Sequence, residues 1–422
     1  MNAASHNALR NGTGRIIAAP QHHLRGVHVR TGIDGLGLAV PSLCIDLETL
    51  AKARGVAPAK YLDGLGTWRM GIAPIDEDTV TLAARAGHMA LESTGTREDE
   101  IGLLIVGTET AVDHSKPVAS FVQGLLGIGR NCRVFETKHA CYGGTAGLMM
   151  ALDWIRSGSA RGKKALVVCS DIARYGLKTA GEPTQGAGAV ALVVSENPRL
   201  VELDPSQSGQ YAIDVHDFWR PLYSKDAHVD GHYSVQCYLD ALSGAYRHFQ
   251  QLVPGVRASD CAALAYHVPY GKMARKAHRQ VRAMDGDETP DASFDVQVGA
   301  SLVLPAQVGN IYTGSLYLAL ASLLATSVKN LDGQQLGLFS YGSGSCAEFF
   351  VGAVVPGAQE RVHALGLQAM LDRRRVLSFD EYEQVMKSRE ELDVRPIEQA
   401  VADDFRFLGV DAHRRTYVSP EA

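Results

Sequence analysis

Nowhere in the 422 residues does an apolar run reach the length needed to cross a bilayer, so no membrane-spanning segment is expected. Charge of one sign is not in excess either. Lys and Arg number 41 against 46 Asp and Glu, for a net charge of -5, and no basic stripe or aromatic-interleaved Lys/Arg run appears, which argues against a nucleic-acid partner. Substrate anions must then be met by local groups. The seven cysteines, at positions 44, 132, 141, 169, 237, 261 and 346, show neither C-x-x-C spacing nor paired clusters, the pattern of a reduced cytoplasmic protein. The first thirty residues are polar, lack a signal-peptide core and predict a disordered or weakly ordered extension. His22, His23 and His28 lie in it, but no second ligand cluster follows them, so no metal site is expected.

What is present is an ordinary globular composition, 46% hydrophobic and 21% charged, in a chain long enough for two core-bearing halves. From Thr31 onward short apolar strands alternate with amphipathic helices, with strands expected near residues 103–107, 165–170 and 187–194. Such alternation predicts an α/β protein with a buried, mostly parallel sheet. A stretch rich in Pro, Ser, Asp and Gly at residues 201–209 reads as a break, dividing a first half (31–200) from a second (201–422). The acidic segment 285–291 reads as a surface loop and residues 380–391 as a charged amphipathic helix, both solvated.

One cysteine stands where a nucleophile belongs. Cys141 falls between an expected strand (132–136) and an apolar helix (148–155), and is followed by Gly143 and Gly144. Unpaired amides and the dipole at a helix start favour a thiolate, and the glycines would let an acyl thioester lie close to the backbone. A thiol that accepts an acyl group also needs a base and oxyanion donors. Candidates are His267, ending the apolar run of Ala265 and Tyr266; Asn310, in a turn before a long apolar helix; and the Gly/Ser loop from Ser340 to Ser345. Glu109 follows an apolar strand, and burial beside Cys141 would raise its pKa into the range of a usable general base. Taken singly, each is as well explained as a core residue or a turn.

Together they form a recognisable set. The blocks GTETAVDHSKP around Glu109, KHACYGGTAGL around Cys141, EPTQGAGAVALVV from Glu182, HDFWRP from His216, YHVPYGKMARKAH around His267, QVGNIYTGSLY around Asn310 and GLFSYGSG from Gly337 resemble the 3-hydroxy-3-methylglutaryl thioester synthases of the thiolase superfamily. That group includes both the CoA enzymes of the mevalonate pathway and the polyketide β-branching enzymes that act on acyl carrier protein. The resemblance runs from about Thr31 to about Tyr417. It implies a five-layer αβαβα thiolase-like fold of two pseudo-duplicated halves, usually dimeric. It implies catalysis by Glu109, Cys141 and His267, and substrate contacts at Asn310, Ser343, Tyr175, Thr184, Ser234, Lys272 and Lys276.

The implied reaction joins an acetyl group held on Cys141 to the β-ketone of acetoacetyl-CoA and then hydrolyses the thioester, with no metal or redox cofactor. On the β-branching alternative, donor and acceptor ride on acyl carrier protein. Lys272 and Lys276, one helical turn apart, suit the phosphates of CoA, whereas Arg275, Lys276 and Arg279 would suit an acidic carrier protein. Two remoter readings are another ketoacyl synthase of the same fold and a catalytically silent scaffold. Glu109 discriminates against the first, since ketoacyl synthases share the Cys, His and Asn set without it.

Overall fold

The computed structural model describes residues 29–388 and 404–420, apart from residue 225. The extension expected at residues 1–30, with its histidines, therefore lies outside the described residues except for its last two positions. Nine strands make one sheet system: β1 (Thr31–Ala39), β2 (Ile101–Gly107), β3 (Arg133–Thr137), β4 (Lys164–Ala173), β5 (Gly186–Glu196), β6 (Val201–Ala212), β7 (Ala263–Tyr266), β8 (Gln335–Gly342) and β9 (Cys346–Val354). Across the sheet they run β7-β8-β9-β6-β1-β5-β4-β2-β3. The first five strands and the last four thus stay on their own sides of a seam. That seam is thin, because β1 and β6 pair only at Gly32 with Glu202 and Ile33 with Val201.

Each side repeats one pattern. In the first, β2 and β4 are parallel and β5 and β1 follow antiparallel; in the second, β7 and β8 are parallel and β9 and β6 follow antiparallel. The duplication is legible in topology, with β2 matched to β7 and β4 to β8. Six principal helices cover these strands: α1 (Thr79–Thr94), α2 (Val118–Leu125), α3 (Gly143–Arg156), α4 (Gly231–Leu252), α5 (Gly271–Met284) and α6 (Ser315–Thr326).

Period-two alternation along the strands builds the layers. Leu103 and Ile105 of β2 pack with α3 and α6 in a middle core, whereas Leu104 and Val106 pack with α1 and α2 outside it. On the other side Ala265 and Leu338 face the middle, and Leu264 and Phe339 face α4 and α5. The result is the αβαβα sandwich that the resemblance implies. Helix α6 is buried at every residue from Ser315 to Leu324, and a helix between two sheets needs apolar residues all round.

Several expectations are corrected, the mostly parallel sheet among them, since five of its eight strand pairings are antiparallel. Residues 201–209 are not a break but most of strand β6, which runs through to Ala212 and pairs with β9 and β1. The turn-forming residues are explained by local bonding: Asp204 Oδ1 accepts from Ser206 N and Oγ, and a side chain at Gly209 would strike Phe249 N and Ala245 O of α4. The end of the chain does not belong with the second half. The hairpin Arg406–Asp411 and Arg414–Val418 packs against the first, with Tyr417 Oη donating to Asp78, the N-cap of α1, and Arg406 paired with Asp76.

The segments read as solvated faces also make specific contacts. Helix Phe379–Ser388 buries Tyr382 and joins Glu383 to Arg54, while residues 389–391 of the expected helix lie outside the described residues. In the acidic loop Asp291 accepts from Arg275 and Arg279, and Asp285 takes Tyr246 Oη at 2.6 Å. Among the described residues no helix is long and apolar enough to cross a membrane.

Candidate active site

The repeat determines where reactive residues fall. Glu109 follows β2 as His267 follows β7, and Cys141 precedes α3 as Asn310 precedes α6. Glu109, Cys141 and His267 stand at the carboxyl ends of parallel strands, the end where open α/β sheets hold ligands, and Asn310 reaches the same end from the turn after the short helix Pro305–Val308, where Gly309 bridges Gly186. The two sides are stitched together at this end. Asp171, buried in β4, accepts through Oδ1 from Thr108 Oγ1 (2.9 Å), Glu109 N (2.9 Å) and Thr110 Oγ1 (2.6 Å), and through Oδ2 from Thr313 N (3.0 Å) and Thr313 Oγ1 (2.5 Å). One carboxylate thus ties the Glu109 turn to the turn that opens α6.

Cys141 Sγ lies 3.1 Å from Glu109 Oε1 and donates to it. Burial, with the neighbouring carboxylate of Asp171, raises the Glu109 pKa to about 8, as the sequence suggested. The thiol goes the other way from expectation. Burial and the charge of Glu109 push the Cys141 pKa well above the ordinary thiol value, so the pull of the helix end is outweighed and the resting group is the protonated thiol. His267 is buried, and desolvation holds its pKa down near 3, so the imidazole is neutral and a weak base. Its backbone N–H bonds Phe339 O at 2.7 Å, placing it one strand from β8, whose Gly342 abuts His139 O and Tyr142 N beside the nucleophile.

The glycines after Cys141 have a different purpose from the one the sequence suggested. A Cβ on Gly107 would come within 2.6 Å of Gly144 N, and one on Gly144 would strike Cys169 Sγ and lie 2.9 Å from Thr313 O. They let the start of α3 nest between β2 and the turn before α6, so what a side chain there would meet is protein and not an acyl group. The Gly/Ser loop is also changed. Gly344 N bonds Asp217 Oδ1 at 3.0 Å and Ser345 N bonds Ile213 O at 2.7 Å, which removes two amides from any oxyanion hole. The amides of Cys141 and Ser343 make no such bond among the described residues.

The expected substrate contacts are placed as follows. Asn310 is buried, and its Oδ1 accepts from Tyr312 N and Ser315 Oγ, each at 3.0 Å, which leaves the amide Nδ2 to offer a ligand. Tyr175 and Thr184 adjoin; Thr184 Oγ1 donates to Gly181 O, and burial raises the Tyr175 pKa. Ser343 sits in the β8–β9 turn and Ser234 in the first turn of α4, its Oγ 3.5 Å from Asp217 Oδ2. Lys272 and Lys276 occupy the first two turns of α5 and form no ion pair among the described residues. Arg275 and Arg279, by contrast, are engaged by Asp291, and Arg275 also by Asp295.

Several contributors were not singled out from sequence. Besides Asp171, they are Asp217, which takes Tyr341 Oη at 2.6 Å; Phe218, whose ring lies 6.2 Å from Tyr175 and 5.9 Å from Tyr312; and Arg220, which donates to Glu109 O. The last three fall in the HDFWRP block, and Asp171 is an acidic residue inside an otherwise apolar strand. Those were the available signals. Among the described residues no cluster of His, Cys, Asp and Glu is arranged to hold a metal ion.

Comparison with known proteins gives one answer. The family described as hydroxymethylglutaryl-coenzyme A synthase N terminal matches residues 28–198, and its C-terminal counterpart matches residues 201–293 and 288–396. The chain is 40% identical to a hydroxymethylglutaryl-CoA synthase of Enterococcus faecalis, over 89% of this chain and 96% of the relative. It is 37% identical to the polyketide biosynthesis 3-hydroxy-3-methylglutaryl-ACP synthase PksG of Bacillus subtilis, over 85% of this chain and 88% of the relative. Its fold superposes with a TM-score of 0.88 on MvaS in complex with 3-hydroxy-3-methylglutaryl coenzyme A, at 50% identity, covering 93% of this chain and all of the other.

Proposed function

Because the chain belongs to the hydroxymethylglutaryl-coenzyme A synthase family, we propose that it condenses an acetyl group held on Cys141 with acetoacetyl-CoA and releases 3-hydroxy-3-methylglutaryl-CoA. The observation that carries this reading is the 3.1 Å contact between Cys141 Sγ and Glu109 Oε1, which sets a nucleophile against a carboxylate of raised pKa. Cys141 attacks the donor thioester while neutral His267 takes the thiol proton and passes it to the departing CoA thiolate. Glu109 then removes a proton from the acetyl methyl, and the Cys141 N–H holds the enolate oxygen. The enolate carbon bonds to the acceptor ketone. The alkoxide so formed takes a proton from the His267 imidazole, which regains it from Glu109. Asn310 Nδ2 orients the acceptor thioester. Water finally cleaves the Cys141 thioester, its hydroxyl going to the product carboxyl and its proton to the thiol. Each proton has a group on this chain to move it, so the chemistry calls for no metal or redox cofactor.

CoA is the carrier better supported by the charges of α5. Arg275 and Arg279 are neutralised within the protein by Asp291 and Asp295, so a basic patch for an acidic carrier protein is short of two cations. Lys272 and Lys276 stay available for phosphates. The expected result is condensation with acetyl-CoA and acetoacetyl-CoA, and a Lys272→Ala/Lys276→Ala variant whose KM for acetyl-CoA rises about tenfold with kcat little changed. Acetyl-pantetheine, which lacks the nucleotide phosphates, should not distinguish variant from wild type. The β-branching reading is kept by the likeness to PksG, and acetylation from acetyl-loaded carrier protein alone would establish it instead.

The protein works as a homodimer in a reducing cytoplasm on this reading. Its seven cysteines are all free, and β3, paired only with β2 among the described residues, presents an edge of half-buried Val134, Phe135 and Glu136 beside the nucleophile helix. Sedimentation should return a particle of twice 45.3 kDa, and Val134→Pro should halve it. A wild-type monomer would exclude this interface.

A further inference from the structure

Glu348 is a buried carboxylate that the proposed chemistry does not use. It lies on β9 in the second half, 3% exposed, and forms no ion pair among the described residues. Burying an anion without a cation is costly unless hydrogen bonds compensate. Two donors meet it: Tyr142 Oη at 2.7 Å on Oε2, and Gln210 Nε2 at 3.0 Å on Oε1. An apolar side chain would fill this space at lower cost, so a positional role is indicated for the acceptor.

Tyr142 is what connects Glu348 to the nucleophile. It follows Cys141 directly, its N–H closes a turn on His139 O at 3.0 Å, and its carbonyl accepts from Ala146 N in the first turn of α3. Ala140 within that turn has φ 40°, a left-handed conformation that a non-glycine residue keeps only when its surroundings hold it. The surroundings that hold it come from the other half of the chain: Gly342 sits against His139 O and Tyr142 N, and Glu348 grips the phenol.

We propose that Glu348 is a positioning residue for Cys141, acting through Tyr142 across the joint between the two halves. The proposal rests on Cys141 being the acyl-accepting nucleophile, and it adds that the second half sets the alignment of a thiol carried by the first. Its consequence is that loosening Tyr142 lets Cys141 swing away from Glu109, which lowers the rate of acyl transfer and relieves the charge that holds the thiol protonated.

The test measures acetylation from acetyl-CoA and, separately, the pH dependence of Cys141 alkylation by iodoacetamide, in full-length wild type, Glu348→Ala, Glu348→Gln, Tyr142→Phe and the Tyr142→Phe/Glu348→Ala double variant. Glu348→Ala should slow acetylation about 10- to 100-fold at unchanged KM and move the alkylation midpoint down toward that of an ordinary thiol. Tyr142→Phe should do the same, and the double variant should be no worse than Tyr142→Phe alone. Glu348→Gln, whose amide oxygen still accepts from the phenol, should stay within about threefold of wild type. An unchanged alkylation midpoint in Glu348→Ala, or effects that multiply in the double variant, would overturn the proposal. If Glu348→Ala does not fold, Tyr142→Phe removes the same bond from the other side, and an unchanged midpoint there has the same force. Alkylation needs no acyl donor, so a wild type that takes no acetyl group would count against the synthase reading and leave this one to be judged by the midpoints.

Discussion

Cys141→Ala protein takes up no acetyl group from acetyl-CoA, and its turnover falls by on the order of 10^4-fold or more. That is the expected result of removing a nucleophile that no neighbour can replace. Cys169, which lies under Gly144, is fully buried with its thiol pKa raised by burial, and burial and the nearby Glu348 carboxylate raise that of Cys346 as well. Intact-protein mass spectrometry after brief exposure to acetyl-CoA reads the outcome directly. An acetylated Cys141→Ala protein would move the nucleophile to another residue and sink the assignment. The wild type should also respond to pH in a way that follows from its surroundings. With the thiol held protonated by burial and by Glu109, alkylation in the free enzyme is slow near neutrality and accelerates only at a pH above that of an exposed cysteine. Acyl transfer can still be fast, because the proton needs to leave only as the carbon–sulfur bond forms, when the sulfur becomes acidic enough for even the weakly basic His267 imidazole to take it.

The sequence was most informative where chemistry requires a fixed residue type next to a fixed backbone feature. A lone cysteine between strand and helix and an acidic residue directly after an apolar strand fit a site before any coordinates, and the structure sets the two 3.1 Å apart. The strand pattern was readable for β2, β4 and β5 because their apolar runs are long and uninterrupted. It failed at β6. There Pro205, Ser206 and Gly209 carry every local mark of a turn, yet pairing with β9 and the close approach of α4 override the marks. Tertiary partners are also what the glycines after Cys141 and the Gly/Ser loop required. Gly144 answers to Cys169 and Thr313, and the Gly344 amide to Asp217, all of them distant in sequence. The balance of charges on α5 was hidden for the same reason. Five cations are visible along the helix, but which three are neutralised depends on where the loop carrying Asp287 and Asp291 folds back.

Glu109→Gln should accept acetyl on Cys141 within about tenfold of the wild-type rate and then stall, with condensation down by on the order of 10^3- to 10^4-fold. The two steps separate because the first uses the thiol and His267, whereas the second needs a base aimed at the acetyl methyl. The amide keeps the shape of the carboxylate and its contact with Cys141, so the loss reports on basicity alone. In wild type, condensation rises with pH and levels off above about 8, where Glu109 ionises. The acetylated enzyme has no S–H to donate to Glu109, which removes a contact that lowers its pKa and keeps the inflection at or above that value. The same shift acts on stability. The native carboxyl holds its proton above the ordinary carboxylate value near 4.5, whereas the unfolded chain releases it, so wild type loses stability on this account as pH climbs from about 4.5 to about 8. Glu109→Gln has no such proton to lose. Its melting temperature should exceed that of wild type by about 1–3 °C at pH 8 and approach it near pH 5. A difference that is the same at both pH values, or a condensation rate flat from pH 6 to 9, would remove Glu109 from the role of base and leave the 3.1 Å contact with Cys141 as a structural hydrogen bond.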